Sequence, residues 1–222
     1  MGRAGADPRT ALGCLTVDVT LARDWMRSAA ALIAADVDRL TRLDSEIGDG
    51  DHGVNLNRGF TAVLAALDKT PPETVSEVLV KSGTTLMSRV GGASGPLYGS
   101  ALRAAGKALP ATPEVQPSDL VAALHAGLEA VRKLGGAAPG DKTLIDAYVP
   151  ALDAFEQAVA GGADLAGAAG AAARAARAGA EATIPLQARK GRASYLGERS
   201  IGHQDPGAAS TSLIFQALAE VA

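Results

Sequence analysis

Between Asp44 and Gly53 the chain runs Asp44, Ser45, Glu46, Ile47, Gly48, Asp49, Gly50, Asp51, His52, Gly53. Three aspartates and a glutamate fall within eight positions there, with glycines between them. Carboxylates packed this densely repel one another unless a cation lies among them. Carboxylate oxygens are also the ligands that hard Mg2+ and Ca2+ take, and glycine lets the backbone turn tightly around an ion. Asp44, Asp49 and Asp51 are therefore the candidate metal ligands; the plain alternative is a solvated acidic turn between two helices.

Two similar patterns do not apply. Gly48 to Gly53 fits G-x-G-x-x-G, but that dinucleotide fingerprint follows a strand. Here helical spacing precedes it, and two bare aspartates would repel a pyrophosphate. An EF-hand loop starting at Asp49 would need glycine sixth and glutamate twelfth, where this chain has Val54 and Phe60. Phosphate reaching this loop comes through metal.

A second group of residues has the opposite charge. The stretch from Gln187 to Gly207 carries Arg189, Lys190, Arg192 and Arg199. It is long for a structureless connection, and such loops are often lids. An acidic metal cluster with a basic lid is the equipment of phosphoryl transfer, since metal and arginine together neutralise phosphate oxygens. The break at Gly91, Gly92, Ala93, Ser94 and Gly95 lacks the lysine of a P-loop but can offer backbone N–H groups at a helix start. It also misses the hydrolase elbow G-x-S-x-G, because Pro96 follows Gly95 and no strand precedes it. His52 and His203 lie beside these groups, whereas His125 falls inside a helix and reads as structural.

The elements that must position these residues are helical. Leu21, Trp25, Leu32, Ile33, Val37 and Leu40 recur at helical spacing, which predicts a first helix from about Thr20 to Leu43. A second follows from Gly53. A third is expected behind a capping box at Thr70 to Glu73, and a fourth from Pro96. The fifth should be capped by Ser118, and the sixth should run from Asp141 to Ala160 with a kink or split at Pro150. The alanine-rich seventh spans Asp164 to Ile184, and the eighth starts at Asp205 and Pro206. No stretch alternates as a strand does, so the fold class is all-α. Short connections make consecutive helices antiparallel neighbours. Every loop from an odd to an even helix then lies at one end: 44–53, 91–95, 135–141 and 185–205. The remaining loops are plain spacers, so one end of an up-and-down set holds the site.

A chain of 222 residues can bury a substantial core. Residues 1–15 read as a loose extension ahead of a single domain, 16–222. The net charge of −3 and the scarcity of aromatic residues speak against nucleic acid. Cys14 is the single cysteine, which excludes an internal disulfide and fits a reducing cytoplasm. No signal peptide is visible, and the apolar stretch 166–182 carries Arg174, Arg177 and Glu181, too many charges to span a bilayer.

At Leu43 to Phe60, Ser88 to Gly99, Pro139 to Thr143 and Gln187 to Gly207 the sequence resembles the nucleotide-binding L subunits of the phosphotransfer-system-dependent dihydroxyacetone (glycerone) kinases. The resemblance implies an antiparallel eight-helix barrel with ADP held at one end as a coenzyme. Two Mg2+ ions would bridge its phosphates to Asp44, Asp49 and Asp51. By motif, His52, Gly53, Val54, Asn55, Ala93, Ser94, Gly135, Leu144, Arg192, Asp205, Pro206 and Gly207 match nucleotide-contacting positions. A phosphocarrier subunit would phosphorylate the bound ADP, and the ATP formed would pass its γ-phosphoryl to dihydroxyacetone on a separate substrate-binding subunit. The implied setting is the cytoplasm, and a homodimer is compatible with it. Competing readings are a nucleotide-loaded regulatory module, an ATP-dependent kinase subunit for a related keto-sugar, and a stand-alone metal-dependent phosphohydrolase.

Overall fold

The computed structural model describes residues 16–222, so the extension read at 1–15 lies outside the described residues. The described chain is all-helical apart from two two-residue strands. In order it forms β1 (Val17–Asp18), α1 (Val19–Ala35), α2 (Val37–Ile47), α3 (His52–Lys69), α4 (Val75–Arg89), α5 (Ser94–Ala108), β2 (Glu114–Val115), α6 (Pro117–Gly135), α7 (Ile145–Ala160), α8 (Leu165–Ala182), a 3-10 helix (Arg192–Ser200) and α9 (Pro206–Val221). β1 and β2 pair antiparallel, Val17 opposite Val115.

From α3 onward each helix packs on the next in sequence, and α9 packs back on α1, which also touches α3. The apolar stripes of these helices meet in one core that includes Trp25, Met26, Phe60, Leu79, Leu120, Leu152 and Phe155. Tyr148 and Phe215 meet edge to face with centroids 5.4 Å apart. The Trp25 indole N–H donates to the Ile214 carbonyl at 2.8 Å, so this buried ring leaves no polar atom unpaired.

Five local expectations are corrected. The predicted first helix is two: it breaks at Asp36, whose carboxylate accepts from Arg39, and α2 then runs through Ile47. Both halves bury a stripe, so apolar spacing continues across the break. Asp44 consequently lies on the last turn of α2 and not in a loop. Thr70 ends α3, and the cap of α4 is Thr74, which accepts from the Glu77 N–H. Gln116, paired reciprocally with Asp119, caps α6 in place of Ser118. α7 begins at Ile145 because Asp146 accepts from the Gly140 and Thr143 amides (2.5 and 2.7 Å), holding a turn where the helix was expected. Pro150 does not split α7: the Asp146 carbonyl it leaves without an amide faces Gly179 of α8, where a Cβ would come within 2.2 Å.

α4 and α5 approach closely through small residues, and their pairings show them antiparallel. Gly106 meets Ser76 and Val80, while Gly83 meets Gly99 and Arg103. A Cβ at Gly83 would lie 2.5 Å from the Gly99 carbonyl and 2.6 Å from the Arg103 nitrogen, both backbone atoms. Alanine gains about 1 kcal/mol of helix propensity, but overpacking costs about 1–3 kcal/mol. We expect Gly83→Ala to lower the urea midpoint; an unchanged or raised midpoint would show that the two helices separate freely.

Candidate functional site

A cavity of about 350 Å3 opens at one end of the helices. The N-termini of α3, α5, α7 and α9 border it through His52, Ser94, Ile145 and Pro206. Four helix N-termini turn their positive dipole ends to one space, which suits an anion. No side chain caps α5, so its first amides stay available.

The acidic residues sit at the mouth. Asp44, Asp49 and Asp51 each offer a carboxylate oxygen within 4.8 Å of the others. Asp44 is buried, and its Oδ2 accepts from the Asp51 N–H (2.8 Å) and the His52 N–H (3.1 Å). It therefore sits on the N-terminus of α3. Gly48 is required beside it, because a Cβ there would come 2.1 Å from Asp44 Oδ1. Gly50 turns the chain in the left-handed region at φ +74. Three hard oxygen donors so close, two of them exposed to the cavity mouth, fit a divalent cation such as Mg2+. Arg192 Nη2 lies 3.0 Å from Asp49 Oδ2, so the basic segment reaches the acidic one.

Behind the carboxylates lies a polar chain that sequence reasoning missed. The buried His52 ring bonds Ser210 Oγ through Nε2 (2.8 Å) and Ser94 Oγ through Nδ1 (3.0 Å). The Tyr98 hydroxyl meets Ser210 Oγ at 2.7 Å, Thr211 Oγ1 at 2.8 Å and the Gly207 carbonyl at 2.8 Å. Burial pulls His52 below its ordinary pKa, against the opposing pull of Asp44 and Asp51. Its neutral form, one nitrogen donating and one accepting, matches the two serine partners. Serines and a tyrosine inside amphipathic helices carry no local signal of such a chain.

The cavity brings together Asp44, Asp49, Asp51, His52, Ala93, Ser94, Gly135, Leu144, Arg192, Asp205, Pro206 and Gly207. Gly53, Val54 and Asn55 do not line it. Gly53 packs where α3 crosses α2, where a Cβ would meet the Val37 carbonyl at 2.2 Å. Val54 faces solvent, and buried Asn55 accepts from Arg58 at 2.7 Å. The cavity adds Leu97, Val131, Ala137 and Lys142, which spacing alone did not single out. The connection 185–205 is ordered and contains the 3-10 helix; His203 bonds Glu46 at 2.9 Å and Arg39 bonds Gln204 at 3.1 Å.

An all-helical chain with a carboxylate trio facing a cavity of helix N-termini defines a metal- and anion-binding class of site. The family profile described as the DAK2 domain matches residues 46–220, and the chain belongs to that family. It is 42% identical over 196 residues to the Escherichia coli (strain K12) PEP-dependent dihydroxyacetone kinase, ADP-binding subunit DhaL, covering 88% of this chain and 93% of the relative. It is also 42% identical over 186 residues to the L-erythrulose 1-kinase of Mycolicibacterium smegmatis, covering 82% of this chain but 32% of that longer protein. The crystal structure of the C. freundii dihydroxyacetone kinase in complex with AMP-PNP and Mg2+ matches with a TM-score of 0.67 at 27% identity. That match takes in 99% of this chain and 37% of the solved chain.

Asp205 caps α9, its Oδ2 accepting from the Ala208 N–H at 2.7 Å. Burial raises its pKa to about 7, with Asp146 and Asp44 adding to the rise and the Ala208 N–H and Lys142 opposing it. A folded pKa above the unfolded value means that stability is fully present below about pH 4 and is lost as pH rises through about 7. Asp205→Asn keeps the capping acceptor and removes the titration. In metal-free buffer the unfolding free energy of the wild type, relative to Asp205→Asn, should fall steadily from pH 4 to pH 7. A difference that stays flat over that range contradicts the assignment.

Proposed function

We propose that this chain is the nucleotide-holding subunit of a multi-component dihydroxyacetone kinase, working in the cytoplasm. It binds ADP or ATP with two Mg2+ ions and relays a phosphoryl group from a phosphocarrier subunit to dihydroxyacetone on a separate substrate subunit. The observation that carries this reading is the carboxylate trio within 4.8 Å at the mouth of a cavity lined by four helix N-termini. The identity to DhaL subunits along nearly the whole chain supports the substrate and the partners. Residues 16–222 act in this reading as one domain. Its architecture is an antiparallel eight-helix barrel, with α1 and α2 as one broken stave, supported by the circuit of neighbours that closes from α9 to α1.

Asp44, Asp49 and Asp51 hold the ions, and α3 holds Asp44. When bound, Mg2+ neutralises phosphate charge and aligns the in-line displacement. The α5 amides, that of Ser94 included, receive phosphate oxygens at an N-terminus, and Arg192 balances charge from the other side. Leu97, Val131, Ala137 and Leu144 supply an apolar wall for the flat face of a base. The segment 185–205 closes over the phosphates and keeps water from the donor. Large apolar side chains exposed on segments that border the cavity (Val54, Leu134, Tyr195 and Ile201 among them) support docking of the partner subunits on this face. A second reading, a kinase subunit that draws on free ATP for a longer keto-sugar, has support in the L-erythrulose 1-kinase relative.

Gently purified protein should carry one ADP and two magnesium ions in native mass spectrometry. With the other subunits supplied, Asp49→Ala and Asp51→Ala should each lose about a hundredfold or more in relay rate; full activity in either would sink the reading. No side chain should become phosphorylated on incubation with the phosphocarrier, and a stable phosphorylated residue would replace the in-place relay by a covalent one. Turnover with free ATP and no phosphocarrier would select the second reading.

A further inference from the structure

Lys142 differs from every other cation in the described chain. Its side chain is 1% exposed, and it is the one described non-glycine residue with a positive φ, at +61. That backbone conformation is costly for any residue with a Cβ, so a feature of the surroundings must hold it. Burial also disfavours the charged ammonium, pulling its pKa below the ordinary lysine value, against the opposing pull of Asp205. Among the described residues no carboxylate is in ion-pair contact with it.

Main-chain carbonyls surround the ammonium. Nζ donates toward His203 at 2.5 Å, Ser200 at 2.7 Å, Thr183 and Leu186 at 3.0 Å, and Ile184 at 3.4 Å. An ammonium has three N–H donors, so these five oxygens use its whole capacity. None is left for a phosphate oxygen, although Lys142 borders the cavity. A direct ligand role is thereby excluded by bond counting. The five carbonyls come from both ends of a single stretch, 183–203, which joins α8 to α9. The turn that carries Lys142 also takes part through its backbone, the Arg189 N–H donating to the Asp141 carbonyl at 3.1 Å. Between the two anchored ends lie Arg192 and Ala193, both on the cavity wall.

We propose that Lys142 is a positioning residue: a built-in cation, fixed in the turn before α7, that folds the 183–203 connection around its ammonium and so sets Arg192 against the nucleotide phosphates. This rests on the reading that the cavity takes a nucleotide. The residue type follows from the cage. A compact ammonium can point donors in several directions at once, whereas a planar guanidinium needs a flat array of acceptors. A neutral side chain of the same length would leave the carbonyls without a donor. Because the cation is part of the chain, the base of the lid is ordered before ligand arrives, and less ordering is left to binding itself.

The test compares Lys142→Met and Lys142→Arg with the wild type. Trypsin should cut at Arg189, Lys190, Arg192 and Arg199 at least tenfold faster in both variants, with the far-UV helix signal retained. Calorimetric titration with ADP and MgCl2 should give a Kd raised at least tenfold in both. Arg192→Ala should weaken ADP binding about tenfold in the wild type but less than twofold in the Lys142→Met background, since an unplaced arginine has nothing to lose. Additive effects of the two substitutions, or cleavage and affinity within twofold of the wild type in folded variants, overturn the proposal. Should the variants not fold, the wild type decides: 15N-lysine NMR should show one ammonium whose protons exchange at least tenfold more slowly than the rest. The absence of such a signal overturns the proposal equally. A wild type that binds no ADP refutes the nucleotide reading alone, while proteolysis and NMR still judge whether Lys142 holds the connection.

Discussion

Three carboxylates held within 4.8 Å of one another impose the constraint that the rest of this molecule answers. Asp44 is the most difficult of them, being buried on the last turn of α2. There the dipole of its own helix opposes an anion. The chain resolves this by turning at once into α3, whose first amides reach back to the same carboxylate. The tight passage needs Gly48 for clearance and Gly50 for its left-handed turn. Asp49 and Asp51 are then left on the solvent side, each with ligating capacity unspent. What draws the eye in the sequence as a dense acidic stretch is, in space, one anchored anion and two exposed ones.

Convergence of helix starts gives that trio its meaning. α3, α5 and α9 are linked behind the carboxylates by the His52, Ser94 and Ser210 contacts, with Tyr98 joining from α5. A neutral imidazole is well suited to that position. It bridges two hydroxyls without adding a cation that would compete with a metal for Asp44. The fourth N-terminus, that of α7, is displaced from where apolar spacing puts it, because Asp141 and Asp146 hold the chain in a turn first. That delay creates the turn on which Lys142 stands.

How much of this could be read from the residues alone varies with the kind of interaction. The helical class and the segregation of chemistry to one end follow from 3.6-residue periodicity and short connections, which are local. The carboxylates and Arg192 could be singled out because charge is visible in a sequence. Caps were harder: Thr70, Thr74, Gln116 and Ser118 all have side chains able to bond a backbone amide, and tertiary packing decides which one does. The break at Asp36 is hidden because apolar spacing continues through it. The order in 185–205 comes from carbonyls meeting one distant ammonium, and main-chain acceptors leave no mark on residue identity. Pro150 is tolerated for a similar reason, the smallness of Gly179 on the neighbouring helix.

The side chains around the cavity also bear on what the site does not do. A covalent intermediate needs a nucleophile with a free electron pair and a base to activate it. Ser94 has its hydroxyl on His52 Nδ1, and both nitrogens of that ring are engaged. The Tyr98 hydroxyl has three partners, and burial drives its pKa upward, so it stays protonated. Lys142 is surrounded by carbonyls. The hydroxyls of Ser94 and Tyr98, the His52 ring and the Lys142 ammonium are thus all committed to structure. The charges left facing the mouth include the carboxylates, the guanidinium of Arg192 and the ammonium of Lys190. Such a site can grip and orient a phosphorylated ligand while the fold itself holds its hydroxyls, imidazole and buried ammonium, which suits a division of labour where donor and acceptor are both brought by other molecules.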